Sequence, residues 1–179
     1  RKEAPMADLY RAVRSPRPSR CREWQLYASI TLVAALALAA LIPIFLSIRY
    51  QLNYRRLLED FSETTVAAFT AQDAVVERDG VTRPLSGGCC QQLYNLVAGT
   101  TPGRWRDPPE EPAPITVRYG DGAVLELWQV PLENSASSTG LYYRFTSPSG
   151  KAYGFDSALL TLRGIGELLD WDAKRQEAP

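Results

Sequence analysis

Residues 27–48 read YASITLVAALALAALIPIFLSI, an apolar run without a charged side chain. As a helix it would be roughly 33 Å long, enough to cross a hydrocarbon core of about 30 Å. A helix satisfies its own backbone hydrogen bonds, which lipid demands of any single spanning segment. The run outlasts the core of a secretory signal, about 7–15 residues. It meets Arg49-Tyr50 without a small-x-small cleavage site, so a retained signal-anchor is predicted. Pro43 is tolerated there as a local kink. Trp24 and Tyr27 at one end, with Tyr50 and Tyr54 at the other, suit the two interfacial belts.

Beyond the run the pattern becomes amphipathic. In residues 49–65, Tyr50, Tyr54, Leu57 and Phe61 recur at helical spacing and form a stripe expected to pack on the adjacent domain. Residues 66–77 read as extended. Asp79-Gly80 then predicts a hairpin into Val81-Thr82-Arg83, because glycine accepts the positive φ of a type I′ turn. Ser86 is a plausible N-cap for a helix through Ala98, with Cys89 or Cys90, Leu93, Leu96 and Val97 as its apolar face. Gly87 and Gly88 weaken its first turn and predict a late start. Gly99 suits its end.

Residues 100–114, TTPGRWRDPPEEPAP, form a proline-rich link of extended character. Four strands follow, over residues 115–119, 123–130, 139–147 and 151–155. Ile115, Val117 and Tyr119 share one face; Leu141, Tyr143 and Phe145 lie opposite Tyr142, Arg144 and Thr146. Asp156 or Ser157 is expected to cap a helix over residues 158–169, with Leu159, Leu162, Ile165, Leu168 and Leu169 as its apolar set. Residues 171–179 read as a frayed, charged tail. The expected fold is α+β: one N-terminal transmembrane helix, then a small two-layer domain over residues 66–170. That domain is a mainly antiparallel sheet with two helices on one face.

The order of Asp-Gly hairpin, helix, proline-bearing link, antiparallel strands and closing helix, over about residues 69–169, resembles that of small uncharacterised membrane-anchored proteins of Gram-positive bacteria. The resemblance implies a domain of unknown function outside the membrane and transfers no catalytic residue.

Charge adds an orientation. Arg11, Arg14, Arg17, Arg20 and Arg22 precede the run, against Arg49, Arg55 and Arg56 after it. The positive-inside bias predicts a cytoplasmic tail over residues 1–26, a single pass through the cell membrane and an extracytoplasmic domain. Twenty Lys and Arg balance twenty Asp and Glu, so no nucleic-acid partner is expected.

Composition then narrows the chemistry. The chain has no histidine, which removes Ser-His-Asp and Cys-His catalysis and His-ligated zinc. Cys89 and Cys90 are neighbours without CxxC spacing, so no cofactor or metal site is expected. Asp79 and Asp121 fall in turns, Glu110 and Glu111 in the link, and Glu126 alternates outward from Leu125 and Leu127. No two of them are held at a separation suited to paired-carboxylate catalysis. Candidate partner-binding residues are aromatic. Trp128 and Tyr142 would form an exposed patch if nothing covers their face. Trp105, between Arg104 and Arg106, is either an exposed anchor for a partner or a cover for the sheet edge.

The expected function is a non-catalytic, membrane-tethered interaction or sensor module, with the lipid bilayer and an envelope protein as partners. One alternative is an enzyme or enzyme-regulating domain that uses carboxylates or a Cys89/Cys90 thiol. The other is a structural subunit that anchors an envelope complex.

Overall fold

The computed structural model describes residues 20–101, 103, 108–131 and 139–177. It has two compact units, Arg1–Ile48 and Arg49–Pro179. The first helix, α1 (Arg20–Ala71), supplies residues to both. In the first unit its large apolar side chains, from Tyr27 to Ile48, are all exposed wherever they are described. That segment is long and apolar enough to cross a membrane.

The second unit is α+β. Its strands are β1 (Val75–Arg78), β2 (Val81–Pro84), β3 (Ile115–Arg118), β4 (Val124–Pro131), β5 (Thr139–Thr146) and β6 (Ala152–Ser157). They form one sheet in the order β2-β1-β3-β4-β5-β6, with every neighbouring pair antiparallel. Alternation fixes its two faces. Val76, Ile115, Val117, Leu125, Leu127, Leu141, Tyr143, Phe145, Tyr153 and Phe155 enter the core. Leu57 and Phe61 of α1 cover that face, with Leu93 and Val97 of α2 (Gly87–Ala98) and Ile165 and Leu169 of α3 (Leu162–Glu177). Three helical segments therefore pack on the sheet, the third being the amphipathic end of α1, whose stripe of Tyr50, Tyr54, Leu57 and Phe61 packs on this unit as expected.

The Asp-Gly hairpin forms as expected. Asp79 and Gly80 both adopt positive φ, 53° and 75°, between β1 and β2. Ser86 caps α2 by accepting from the Cys89 N–H at 3.1 Å, and Gly99 ends it. The helix starts at Gly87 without the delay its glycines suggest. Close approach accounts for the residue there: a Cβ at position 87 would lie 2.7 Å from the Phe69 Cα.

Several boundaries differ from expectation, and Asp156 and Ser157, expected to cap the last helix, belong to β6. Residues 66–71, read as extended, continue α1. Ala67, Ala68 and Ala71 favour helix, and buried Ala68 prolongs the stripe of Leu57 and Phe61. The Thr65 and Thr70 hydroxyls donate to the carbonyls of Phe61 and Val66, so threonine is accommodated within the helix. Gln72, at φ 55°, ends it. The last helix begins at Leu162 rather than 158, because Thr161 supplies the cap by accepting from the Gly164 N–H at 3.1 Å. It then runs through the stretch read as a frayed tail. Leu159, expected in its apolar face, is exposed.

Candidate functional site

The outer face of β4 and β5 carries the aromatic residues singled out by the sequence. Register places Trp128 opposite Tyr142 and Glu126 opposite Arg144. The two rings lie 5.5 Å apart at 57°. The Arg144 guanidinium stands 5.7 Å from the centre of the Trp128 ring, and its Nε and Nη2 each donate to Glu126 Oε2 at 2.6 Å. These contacts form a cation–π and ion-pair chain across two strands.

The expectation of an exposed Trp128–Tyr142 patch is corrected: Trp128 is 5% exposed and Tyr142 1%. The Trp128 Nε1–H donates to the Glu111 carbonyl at 2.8 Å, so the proline-rich link is hydrogen-bonded to this face. A tryptophan whose N–H finds a backbone acceptor is stably buried. Trp105 lies outside the described residues.

The cysteines behave as core side chains. Cys89 and Cys90 are free thiols, 1% and 0% exposed. Burial, and then the charge of Asp172, pushes each thiol up from 9.0 to about 12. A thiol held that high is neutral near pH 7, whereas nucleophilic and redox chemistry requires thiolate. Their neighbour Asp172 is a residue the sequence reading missed. Its carboxylate, 2% exposed, accepts from Ser86 N–H at 3.0 Å, from the Ser86 hydroxyl and from Gln176 Nε2 at 2.8 Å. It joins α3 to the N-cap of α2. The available signal was periodic: Asp172 continues the stripe of Ile165 and Leu169 at helical spacing.

The remaining carboxylates are mostly committed to structure. A shallow depression is lined by Asp60, Glu63, Thr64, Asp121 and Ser149. Asp60 there accepts from Tyr153 OH at 2.7 Å. Asp121 accepts from the Thr64 hydroxyl at 2.8 Å and the Ala123 N–H at 2.9 Å, holding the β3–β4 turn. Asp79 sits in the β1–β2 turn. Among the described residues, no group of three or more His, Cys, Asp or Glu is arranged to hold a metal ion. Two buried phenols, Tyr119 and Tyr143, have no hydrogen-bond partner among the described residues, and burial pushes both far above the ordinary tyrosine value.

Comparison with protein-family models, curated proteins and solved structures finds no match to this chain. Its own residues therefore carry the functional reading.

Proposed function

We propose that this chain is a single-pass membrane protein whose second unit is an extracytoplasmic interaction module without catalytic activity. The observation that carries the reading is the first part of α1. Leu32, Leu36, Leu41, Phe45 and their neighbours all stay exposed in a segment with no charged residue from 27 to 48. Water does not tolerate so large an apolar surface on a soluble monomer, whereas lipid requires one. The flanking arginines favour the N-terminus inside and Arg49–Pro179 outside. Non-catalytic character is supported by the lack of histidine, by neutral buried thiols and by carboxylates engaged in turns and caps.

Fractionation tests the anchor. The full chain should remain in the membrane pellet after alkaline carbonate washing; recovery in the supernatant would contradict it. Native sizing in mild detergent tests the module. It predicts an assembly larger than one or two copies of the chain, and a species no larger than that would argue against an envelope partner.

A further inference from the structure

The side of α1 that turns away from the core changes its charge along the helix. At about 100° per residue, Arg49, Leu52, Arg55 and Arg56 share that side in the first two turns of the second unit, opposite Tyr50, Tyr54 and Leu57. All four are exposed, Leu52 at 48%. Glu59 and Glu63, also exposed, continue the same side. Arginines therefore crowd the start of the unit, and carboxylates follow about a turn later. None of the three arginines has an ion-pair partner among the described residues. Arg55 and Glu59 stand four apart, but with the cation N-terminal, which is the weaker order for a helical pair.

We infer that Arg49, Arg55 and Arg56 bind the phosphates of anionic phospholipid headgroups in the leaflet next to the second unit. The inference rests on the membrane-anchor reading, which puts the bilayer at the N-terminal end of this helix segment. Three observations identify the occupant. The guanidiniums carry charge that the protein leaves unmatched, and a guanidinium pairs with phosphate through two parallel N–H donors. Helical side chains lean toward the N-terminus, here toward the bilayer, and the long aliphatic stem of arginine lets its charge snorkel to headgroup level. The outer flank of a spanning helix is also where the positive-inside bias disfavours arginine, so these three stand there against that bias. Glu59 marks the limit of the surface. It stands about 15 Å along the helix from Arg49, roughly two Debye lengths, where repulsion from a negative leaflet is largely screened.

Lipid selectivity of the full chain in vesicles tests it. In a Cys21→Ser background, Ile48→Cys carries a bimane fluorophore on the same helix side, about one turn before Leu52. Cys89 and Cys90 are buried and should stay unlabelled. The vesicles hold equal parts phosphatidylcholine and phosphatidylglycerol, with a nitroxide quencher on the acyl chains of one lipid or the other. Quenching should favour the anionic lipid by at least about fivefold, the worth of a single arginine beside an anionic surface. Arg49→Gln, Arg55→Gln and Arg56→Gln together should bring the ratio to about one, whereas lysine at all three positions should keep most of the preference by keeping the charge. Equal quenching by the two lipids would overturn the inference. So would a preference that survives in the glutamine variant, or one that lysine abolishes as fully as glutamine. Absence of quenching by either lipid would instead refute the anchor, because position 48 would then lie outside the bilayer.

Discussion

The two parts of α1 are both helix and both rich in apolar residues, yet they dispose of those residues in opposite ways. In residues 27–48 the apolar side chains point in every direction and none of those described is covered. In residues 49–71 burial is one-sided: Leu57, Phe61 and Ala68 are almost wholly buried and Tyr50, Tyr54 and Leu58 pack partly against the same core, while Leu52 and Val66 stay exposed. A helix apolar all round needs an apolar solvent; a helix apolar on one side needs a sheet and water. One continuous element therefore presents two kinds of surface, and the change falls where Arg49 ends the uncharged run.

The sharpest way to probe that contrast is a matched pair of truncations. Phe61 packs 4.9 Å from Phe145 and edge-on to Tyr94 at 5.5 Å. Phe61→Ala should lower the unfolding free energy of the Arg49–Pro179 unit by about 3–5 kcal/mol. Phe45→Ala should leave it within about 0.5 kcal/mol. Denaturant titration of the detergent-solubilised full chain, followed by tryptophan fluorescence, measures both. The reverse asymmetry applies to charge. Leu38→Arg should make membrane insertion about 3–4 kcal/mol less favourable, read as the integrated fraction of newly made chain, and should leave the folded unit unaltered.

Smaller effects probe the core that the second part of α1 helps to cover. Asp172→Ala leaves the Ser86 N–H and hydroxyl without their buried acceptor and should cost about 1–3 kcal/mol in the same titration. Alkaline pH should act through Cys89 and Cys90, whose folded values of about 12 stand above the 9.0 of a free thiol. Stability from keeping these thiols neutral is complete below about pH 9. It declines as pH rises through 9 toward 12, where only the unfolded chain has released the protons. Replacing both cysteines by alanine should flatten that decline. The smallest effect is expected on the outer sheet face: Glu126→Gln breaks a partly exposed ion pair and should cost no more than about 1 kcal/mol.

Much of this fold was legible from pattern, and the failures have physical causes. Strand alternation placed Val117, Tyr143 and Phe145 on the correct face, because a period of two leaves one choice once a core side is set. The Asp79-Gly80 turn and the Ser86 cap were equally local and equally clear. Residues 66–71 misled because Val66, Phe69 and Thr70 favour strand while the three alanines among them favour helix; burial of Ala68 in the core decided it. The final helix was missed at both ends for related reasons. Thr161 is a cap visible only once Leu159 is known to face outward, and Asp172 is buried through a partner, Ser86, that lies far away in sequence. Trp128 and Tyr142 were placed on the correct face, but their exposure depended on the course of the proline-rich link, which no periodicity encodes.

The proposal on which the rest depends is that residues 27–48 cross the bilayer and leave the folded unit outside. Labelling of intact cells with a membrane-impermeant maleimide tests it most directly. Glu77→Cys places a thiol on an exposed strand position, Cys21 precedes the apolar run, and Cys89 and Cys90 are buried. The account predicts labelling of Glu77→Cys in intact cells, with Cys21 labelled only after permeabilisation. Labelling of Cys21 in intact cells, with Glu77→Cys protected until they are opened, would contradict it.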